Sequence, residues 1–310
     1  MPRADWRGKL PVVRSIYTGQ VVVSSRIRYR IAAIRFLNPA PLMWDFEHPS
    51  FNRELAERYD IEYMLPSECA ERLETGASDI GLVPIAALPR EPKMRVLPGC
   101  TIASKHRVRS LLLVRREDQP LENLKSVAAD TASRTTLTYA RLLFHRWGNP
   151  DVPFHPMAAN LDAMLDQAEA AIVIGDPALA AMEDRQQRQE RTGEKLVYHD
   201  LAEEWRVLTG LPFVSAVWGT TAPAGSGDER VIEDLIRSRD HGLKNIDALA
   251  EEWSQKTALP RDTIATYLTE NIHYVLDEEC VEGMRGFFQE AARLGVLPEY
   301  EFGPAKLMAG

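Results

Sequence analysis

The sequence has no long hydrophobic run. No stretch approaches the roughly 18–20 apolar residues that span a membrane, and the short run Val21-Val22-Val23 is soon followed by arginines. Residues 1–7 carry charge but lead into no apolar segment, so no secretory signal is predicted. We therefore expect a cytoplasmic protein that has no membrane association.

Cysteine and positive charge are also in short supply. The three cysteines, Cys69, Cys100 and Cys280, lie far apart and form no CxxC pair, which indicates neither a disulfide framework nor a zinc cluster. Lys and Arg number 37 against 45 Asp and Glu, a formal net charge of −8. A general nucleic-acid binder needs a basic face, so that class is not expected. An anionic small-molecule ligand is compatible with this net charge, because a few hydrogen-bond donors close to the ligand can outweigh the diffuse negative charge of the rest of the chain.

Several catalytic motifs are missing. The chain contains no GxGxxG and no GxxxxGK[ST], so no nucleotide cofactor is indicated. It has no HExxH, its seven histidines are scattered, and no GxSxG elbow appears. We expect no metal and no organic cofactor. An enzyme of this kind would work by positioning its substrate and by hydrogen bonding.

The sequence does show an alternation of predicted strands and helices. Its 310 residues suggest about two domains, at roughly 150 residues per domain. The first hundred residues predict an α/β unit with a mainly parallel sheet. A second, smaller α/β unit follows, with a loop over residues 131–136 and a helix from 137 to 147. An apolar run over 211–218 carries the chain back, and the remainder shows helical spacing, including residues 264–275.

These patterns predict two lobes around a cleft. Residues 1–26 form an extension, 27–114 and 217–310 form a discontinuous first lobe with C-terminal helices, and 115–216 form an inserted second lobe. Ligands of open α/β sheets bind beyond the carboxyl ends of the strands. The turns that follow strands are therefore the places where we look for functional side chains.

Three such turns carry polar residues. Asn38 follows the first strand, and its amide could face the cleft or satisfy its own turn. Residues 133–136, Ser-Arg-Thr-Thr, precede a predicted helix and offer either an anion site or an ordinary helix cap with a surface arginine. Asp176 follows a third strand and could cap the next helix or point into the cleft.

Several segments together resemble one family. They are Leu37-Asn38-Pro39-Ala40-Pro41-Leu42, Asp79-Ile80-Gly81-Leu82-Val83-Pro84-Ile85, Ser104 with Val108-Arg109-Ser110, Asp130-Thr131-Ala132-Ser133-Arg134-Thr135-Thr136, and Ile174-Gly175-Asp176-Pro177-Ala178. In this order and spacing, over about residues 28–297, the chain resembles the chorismate dehydratases of the futalosine route to menaquinone. The extension before Arg28 departs from the usual start of that family.

The resemblance implies a two-lobed fold like that of type II periplasmic binding proteins, with a central ligand cleft. It implies a hydro-lyase that removes water from chorismate, a small dicarboxylate, to give 3-[(1-carboxyvinyl)oxy]benzoate without a cofactor. Asn38 and Ser110 are the catalytic residues that it implies. The substrate-binding residues that it implies are Ser104, Ser133, Arg134, Thr135, Thr136, Pro84 and Asp176.

The proton acceptor is not apparent from these residues, because no His, Lys or Glu stands in the matched turns. We hypothesise that the enolpyruvyl carboxylate of chorismate takes the proton itself, while Asn38 and Ser110 fix its geometry. Which of Ser104 and Ser110 faces the substrate stays open, as does the oligomeric state.

Other functions remain open. The same fold could serve as a non-catalytic module that binds a small carboxylate, as the effector domain of a regulator, or as a metabolic scaffold. The sister cyclase of the futalosine pathway shares the architecture, but its opening turn has a Cys-Pro-Asn-Asp-like pattern. Here the turn reads Leu37-Asn38-Pro39-Ala40-Pro41-Leu42, which favours the dehydratase.

Overall fold

The computed structural model describes residues 28–48, 53–222, 228–303 and 307. The predicted extension 1–26 lies outside these residues. The strands are β1 (Tyr29–Ile34), β2 (Tyr59–Met64), β3 (Ile80–Pro84), β4 (Arg95–Ser104), β5 (Leu111–Arg116), β6 (Val127–Asp130), β7 (Phe154–Met157), β8 (Ala170–Ile174), β9 (Leu196–Asp200), β10 (Phe213–Thr220) and β11 (His273–Leu276).

Helices cover both sheets. They are α1 (Trp44–Glu47), α2 (Arg53–Arg58), α3 (Pro66–Glu74), α4 (Arg134–Arg146), α5 (Leu161–Gln167), α6 (Asp176–Thr192), α7 (Leu201–Thr209), α8 (Asp228–Lys244), α9 (Ile246–Lys256), α10 (Arg261–Thr266) and α11 (Glu278–Arg293). Within the described part of the chain, no helix has both the length and the apolar character needed to cross a membrane.

The first sheet has the strand order β11-β4-β10-β3-β1-β2. Strand β1 pairs in parallel with β2 and β3, whereas the β3–β10, β10–β4 and β4–β11 pairs are antiparallel. The expectation of a mainly parallel sheet was therefore wrong. The returning strand β10 inserts between β3 and β4 in the opposite direction, so that part of the sheet is not built from parallel crossover units.

The second sheet has the order β7-β6-β8-β5-β9. Its β6–β7 and β6–β8 pairs are parallel, and its β5–β8 and β5–β9 pairs are antiparallel. The chain passes between the sheets after β4 and again after α7. The predicted division points at 114/115 and 216/217 fall inside β5 and β10, and the domain boundaries stay a prediction.

One predicted helix is replaced by other structure. The helical spacing over residues 264–275 covers the end of α10, a π-helical turn at Tyr267–Asn271 and strand β11. Strand β11 forms the edge of the first sheet, where His273 pairs with Ala103 of β4. Backbone pairing at that edge prevails over the helical pattern of the side chains.

A large apolar core links the two sheets. Tyr139 of α4 is fully buried and stacks on Phe213 of β10, with ring centroids 3.8 Å apart. The Tyr139 ring also contacts Trp205 of α7 edge-on and Phe287 of α11 at a tilted angle. A smaller core covers the opposite face of the second sheet. Helix α4 therefore packs against elements of both lobes. The packed part of the helix directly follows the predicted Ser-Arg-Thr-Thr turn.

Candidate active site

The segment that follows β1 packs closely against helix α8. A short 3₁₀ helix, Ala40–Met43, follows the turn, and all four of its residues are buried. A Cβ atom at Gly242 of α8 would lie 2.1 Å from the Pro41 carbonyl oxygen, so the helix backbone presses directly on this segment. These contacts fix the backbone of the segment that follows Asn38.

Asn38 carries a buried acceptor that the protein does not use. Its side-chain oxygen Oδ1 is buried and has no hydrogen-bond partner among the described residues. Asn38 lines a central cavity between the two sheets. An unpaired buried oxygen costs about 1–3 kcal/mol, so a partner supplied from the cavity would relieve that cost. This favours the cleft-facing alternative over a turn that satisfies itself.

The central cavity lies where the carboxyl ends of β1, β3 and β8 meet, as expected for an α/β ligand site. Its volume is about 20 Å³, roughly the space of one water molecule. A ligand larger than a water molecule therefore requires this cavity to widen before it can bind. The lining residues are Ile34, Phe36, Asn38, Pro66, Pro84, Ser110, Leu111, Ser133, Ile174, Gly175, Ser215 and Ala216.

Ser110 follows a constrained turn. The preceding residue, Arg109, has a φ of 64°, the left-handed region that side chains rarely adopt. The Asp200 carboxylate holds this turn, because Oδ2 accepts hydrogen bonds from the backbone N–H groups of Val108 and Arg109 at 2.9 and 2.6 Å. Burial raises the pKa of Asp200, and these N–H donors oppose that shift.

The Ser110 hydroxyl is arranged as a donor. The Tyr267 hydroxyl donates a hydrogen bond to Ser110 Oγ at 2.8 Å. Burial raises the pKa of Tyr267, so its proton stays in place to make that bond. The hydrogen of Ser110 is then free to point at an oxygen in the cavity.

Ser133 caps helix α4, which begins at Arg134 rather than at the predicted residue 137. Ser133 Oγ accepts from the Thr136 backbone N–H at 3.3 Å and from Thr136 Oγ1 at 3.2 Å. Its own hydrogen remains available to the cavity that it lines. Thr135 Oγ1 accepts a hydrogen bond from the Ala86 backbone N–H at 3.2 Å. Thr135 does not line the central cavity. The hydrogen bonds show the helix cap, and an anion-binding role for this turn stays a prediction.

Arg134 does not line the cavity. Its Nη1 lies 3.6 Å from Glu74 Oε1, and its side chain is partly exposed. Within the described part of the chain, no Lys or Arg lines the central cavity. A role for Arg134 in holding a substrate carboxylate stays a prediction and requires its side chain to leave Glu74.

Asp176 bridges the two lobes. It is the first residue of α6, and its Oδ1 accepts a hydrogen bond from the Leu37 backbone N–H at 3.0 Å. Burial raises the pKa of Asp176 to about 6, while the Leu37 bond opposes the shift. The preceding Gly175 has a φ of 67°, and a Cβ there would lie 3.0 Å from the Phe36 ring. Glycine is required at this close approach.

The structure brings together four of the predicted site residues on the cavity lining: Asn38, Pro84, Ser110 and Ser133. Ser104, Arg134, Thr135, Thr136 and Asp176 are not on it. Ser104 is buried in β4, where its Oγ accepts from the His106 backbone N–H at 3.4 Å. Of the two serines, Ser110 is the one that reaches the cavity.

Sequence reasoning missed Ser215 and Tyr267. Ser215 lies within the apolar run that becomes β10, and it is the one hydroxyl in the run Leu211–Trp218. That isolated polar residue in a buried strand was the available signal. Tyr267 looked like the apolar side of a helix, and nothing in the local sequence distinguishes a core tyrosine from one that serves Ser110.

One group of side chains has ligand-like spacing. The ligand atoms of His273, Asp277 and Cys280 lie within 4.8 Å of one another. The Lys105 ammonium is 2.7 Å from Asp277 Oδ2 and already neutralises that carboxylate. A second cation would be repelled there, so these residues offer little support for a metal site.

The fold and the central cavity define a class. Two mixed α/β sheets with a cavity between them have the architecture of periplasmic binding proteins, and solved structures agree. A protein of Archaeoglobus fulgidus matches with a TM-score of 0.69 at 13% identity, over 87% of this chain and 98% of that one. The alkanesulfonate-binding protein of Xanthomonas axonopodis pv. citri matches with a TM-score of 0.66 at 12% identity, over 91% and 98%.

The chain belongs to a menaquinone-biosynthesis family, whose sequence profile matches residues 29–293. A curated relative is the chorismate dehydratase of Thermus thermophilus, which is 26% identical over 283 residues. The match covers 88% of this chain and 98% of that protein. The resemblance drawn from the motifs is therefore confirmed, as is the two-lobed binding-protein fold.

Proposed function

We propose that the protein is a chorismate dehydratase that forms 3-[(1-carboxyvinyl)oxy]benzoate and water. The observation that carries the proposal is the unpaired, buried Oδ1 of Asn38 in the same cavity as the Ser110 hydroxyl. The family and the Thermus thermophilus relative support the same substrate.

The reaction breaks the C3–H and C4–OH bonds of chorismate and forms an aromatic ring. The C3 proton and the 4-hydroxyl leave as one water, and no oxidant or reductant is needed. Asn38, Ser110 and Ser133 offer neutral hydrogen-bonding groups to the cavity. They can orient the substrate oxygens and stabilise the departing hydroxide.

In this proposal the enolpyruvyl carboxylate of the substrate takes the C3 proton, and the carboxylic acid so formed gives that proton to the departing hydroxide, which leaves as water. The enolpyruvyl carboxylate is joined to C3 through the ether oxygen, so it reaches the C3 hydrogen through a six-membered arrangement. No Asp, Glu, His or Lys is among the residues that line the central cavity in the described structure. That neutral lining supports a base supplied by the substrate.

The reaction as proposed uses no metal and no organic cofactor. Aromatisation provides the driving force, and hydrogen bonds can supply the remaining stabilisation of the transition state. A reaction on a biosynthetic intermediate also fits the cytoplasmic location expected from the sequence.

The test is to treat the purified protein with a chelator, add chorismate and follow the product by mass. We expect a species lighter than chorismate by one water, formed at the same rate with and without added divalent metal. Binding of chorismate without turnover would replace the proposal with the binding-module alternative. Turnover that returns only with metal would overturn the cofactor-free part.

A further inference from the structure

A second, larger cavity adjoins the central one. This groove has a volume of about 420 Å³ and lies between the turn after β1, the end of β2 and helix α9. It shares Ile34 and Phe36 with the lining of the central cavity. The two spaces therefore adjoin at Ile34 and Phe36.

Two cations border the groove. Arg35 is exposed, and its guanidinium has no hydrogen-bond or ion-pair partner among the described residues. The Lys256 ammonium lies 4.9 Å from the centre of the Trp253 ring and 2.5 Å from Glu252 Oε1. Arg35 thus carries the uncompensated charge, and Lys256 could exchange Glu252 for another anion.

Glu47 is the one carboxylate among the described residues that line the groove. Burial and the neighbouring Glu47 carboxylate raise the pKa of the Tyr63 hydroxyl. Tyr63, Trp253 and Phe36 give the groove aromatic walls suited to the flat ring of a small cyclic acid. The groove thus combines aromatic surface with free positive charge, as a cyclic carboxylate requires.

The central cavity lacks such charge. Its described lining has no Lys or Arg, and the Asp176 carboxylate lies close by. The chain as a whole carries a net charge of −8. A dianion approaching this protein therefore needs a local cation outside the central cavity to attract it.

We propose that this groove is an entrance site, where Arg35 and Lys256 first hold the dianionic substrate before it passes Phe36 into the central cavity. The proposal rests on the proposed function, because it takes chorismate as the dianion. Passage requires the Phe36 ring to swing away from Gly175, against which it now packs.

The test compares steady-state kinetics of the full chain on chorismate at low and at physiological salt. For the wild type we expect kcat/KM to fall as salt rises. Arg35→Gln combined with Lys256→Gln is expected to lower kcat/KM at low salt by about tenfold and to flatten its salt dependence, with kcat nearly unchanged. Glu47→Gln is expected to raise kcat/KM.

The matched control is Lys195→Gln, which removes an exposed cation from the second lobe at a residue that borders neither cavity. It is expected to leave the salt dependence as in the wild type. Equal kcat/KM and equal salt slopes in the double variant and the wild type would overturn the entrance site while leaving the proposed function intact. A wild type that does not convert chorismate would overturn the proposed function instead.

Discussion

Asn38 and Ser110 meet the central cavity with hydrogen-bonding capacity that the protein leaves unused. Asn38 Oδ1 has no partner in the described structure, and the Ser110 hydrogen is free because Tyr267 occupies its oxygen. Neutral groups of this kind stabilise a transition state when they are already oriented before the substrate arrives. The chemistry of the site therefore depends on how firmly each side chain is held.

Replacing Asn38 with alanine removes the amide from the cavity. We expect Asn38→Ala to lower kcat by about a hundredfold or more, because one preorganised polar group in a closed site contributes on that scale. The rate of product formation from chorismate measures it. Asn123→Ala is a matched control, since Asn123 is exposed at the end of a short 3₁₀ helix. Near-normal turnover in Asn38→Ala would contradict the role given to that residue.

Tyr267→Phe removes the donor to Ser110 Oγ without changing the packing. The Ser110 hydroxyl then loses its fixed orientation, and we expect kcat to fall about tenfold with KM little altered. Tyr274→Phe is the control, because the Tyr274 hydroxyl is also buried but has no partner in the described structure. Equal effects of the two substitutions on kcat would show that the Tyr267 hydroxyl does not orient Ser110.

Among the secondary-structure elements, the strands and helices of the α/β pattern were predictable, but the course of the returning chain was not. The strand–helix alternation expected in the first hundred residues appears as β1, α2, β2, α3 and β3. Local apolar patterning identifies such elements. Local patterning does not predict where β10 inserts in the sheet, nor that residues 273–276 form strand β11 instead of a helix. Both outcomes depend on pairing with the distant strand β4.

The site shows the same division between local and distant information. Asn38 and Ser133 were identified because their turns carry local polar signals, and both line the cavity. Arg134 forms an ion pair with Glu74 of α3. Tyr267, which binds the Ser110 hydroxyl, lies 157 residues after Ser110 in the sequence. Contacts across such separations are fixed by tertiary packing and leave no trace in the neighbouring sequence.

Asp200 joins two elements through one buried carboxylate. Oδ2 binds the turn before Ser110, and Oδ1 accepts from the backbone N–H groups of Ala202 and Glu203 at the start of α7. We expect Asp200→Ala to lower the free energy of unfolding by about 2–4 kcal/mol, because it leaves several N–H donors without an acceptor. Urea unfolding measures it.

The same substitution is expected to reduce kcat, since the strained Arg109 conformation before Ser110 loses its support. Asp200→Asn keeps an oxygen acceptor and should fall between the wild type and Asp200→Ala in both measurements. An Asp200→Ala variant with wild-type stability would contradict the structural role of this carboxylate.

At the scale of the whole molecule, the two lobes meet in a closed arrangement. The Asp176 carboxylate contacts Leu37 across the cleft, and the central cavity between the lobes has a volume of about 20 Å³. Two-lobed proteins open and close by hinge motion around a ligand. Substrate admission therefore requires the Asp176–Leu37 bond to break and form again.

Burial raises the pKa of Asp176 to about 6, above that of an aspartate in the unfolded chain. As pH rises from about 4 to about 6, the unfolded chain loses this proton first, so the contribution of Asp176 to stability falls over that window and is flat above it. Asp176→Asn removes the titration and keeps an acceptor for Leu37.

Urea unfolding of the wild type at several pH values across this window, compared with Asp176→Asn, measures the effect. We expect the wild type to lose about 1–3 kcal/mol of unfolding free energy relative to Asp176→Asn as pH rises through the window. Parallel pH profiles for the two proteins would show that Asp176 titrates as an exposed aspartate does.

Turnover of chorismate deuterated at C3 tests the proposed chemistry most directly. Mass spectrometry of the product, together with the ultraviolet spectrum, reports both the bond broken and the ring formed. We predict an aromatic product that has lost the deuterium and the 4-hydroxyl as one water, formed without added metal. Unchanged chorismate, or a product that keeps the deuterium, would contradict the assignment of this protein as a chorismate dehydratase.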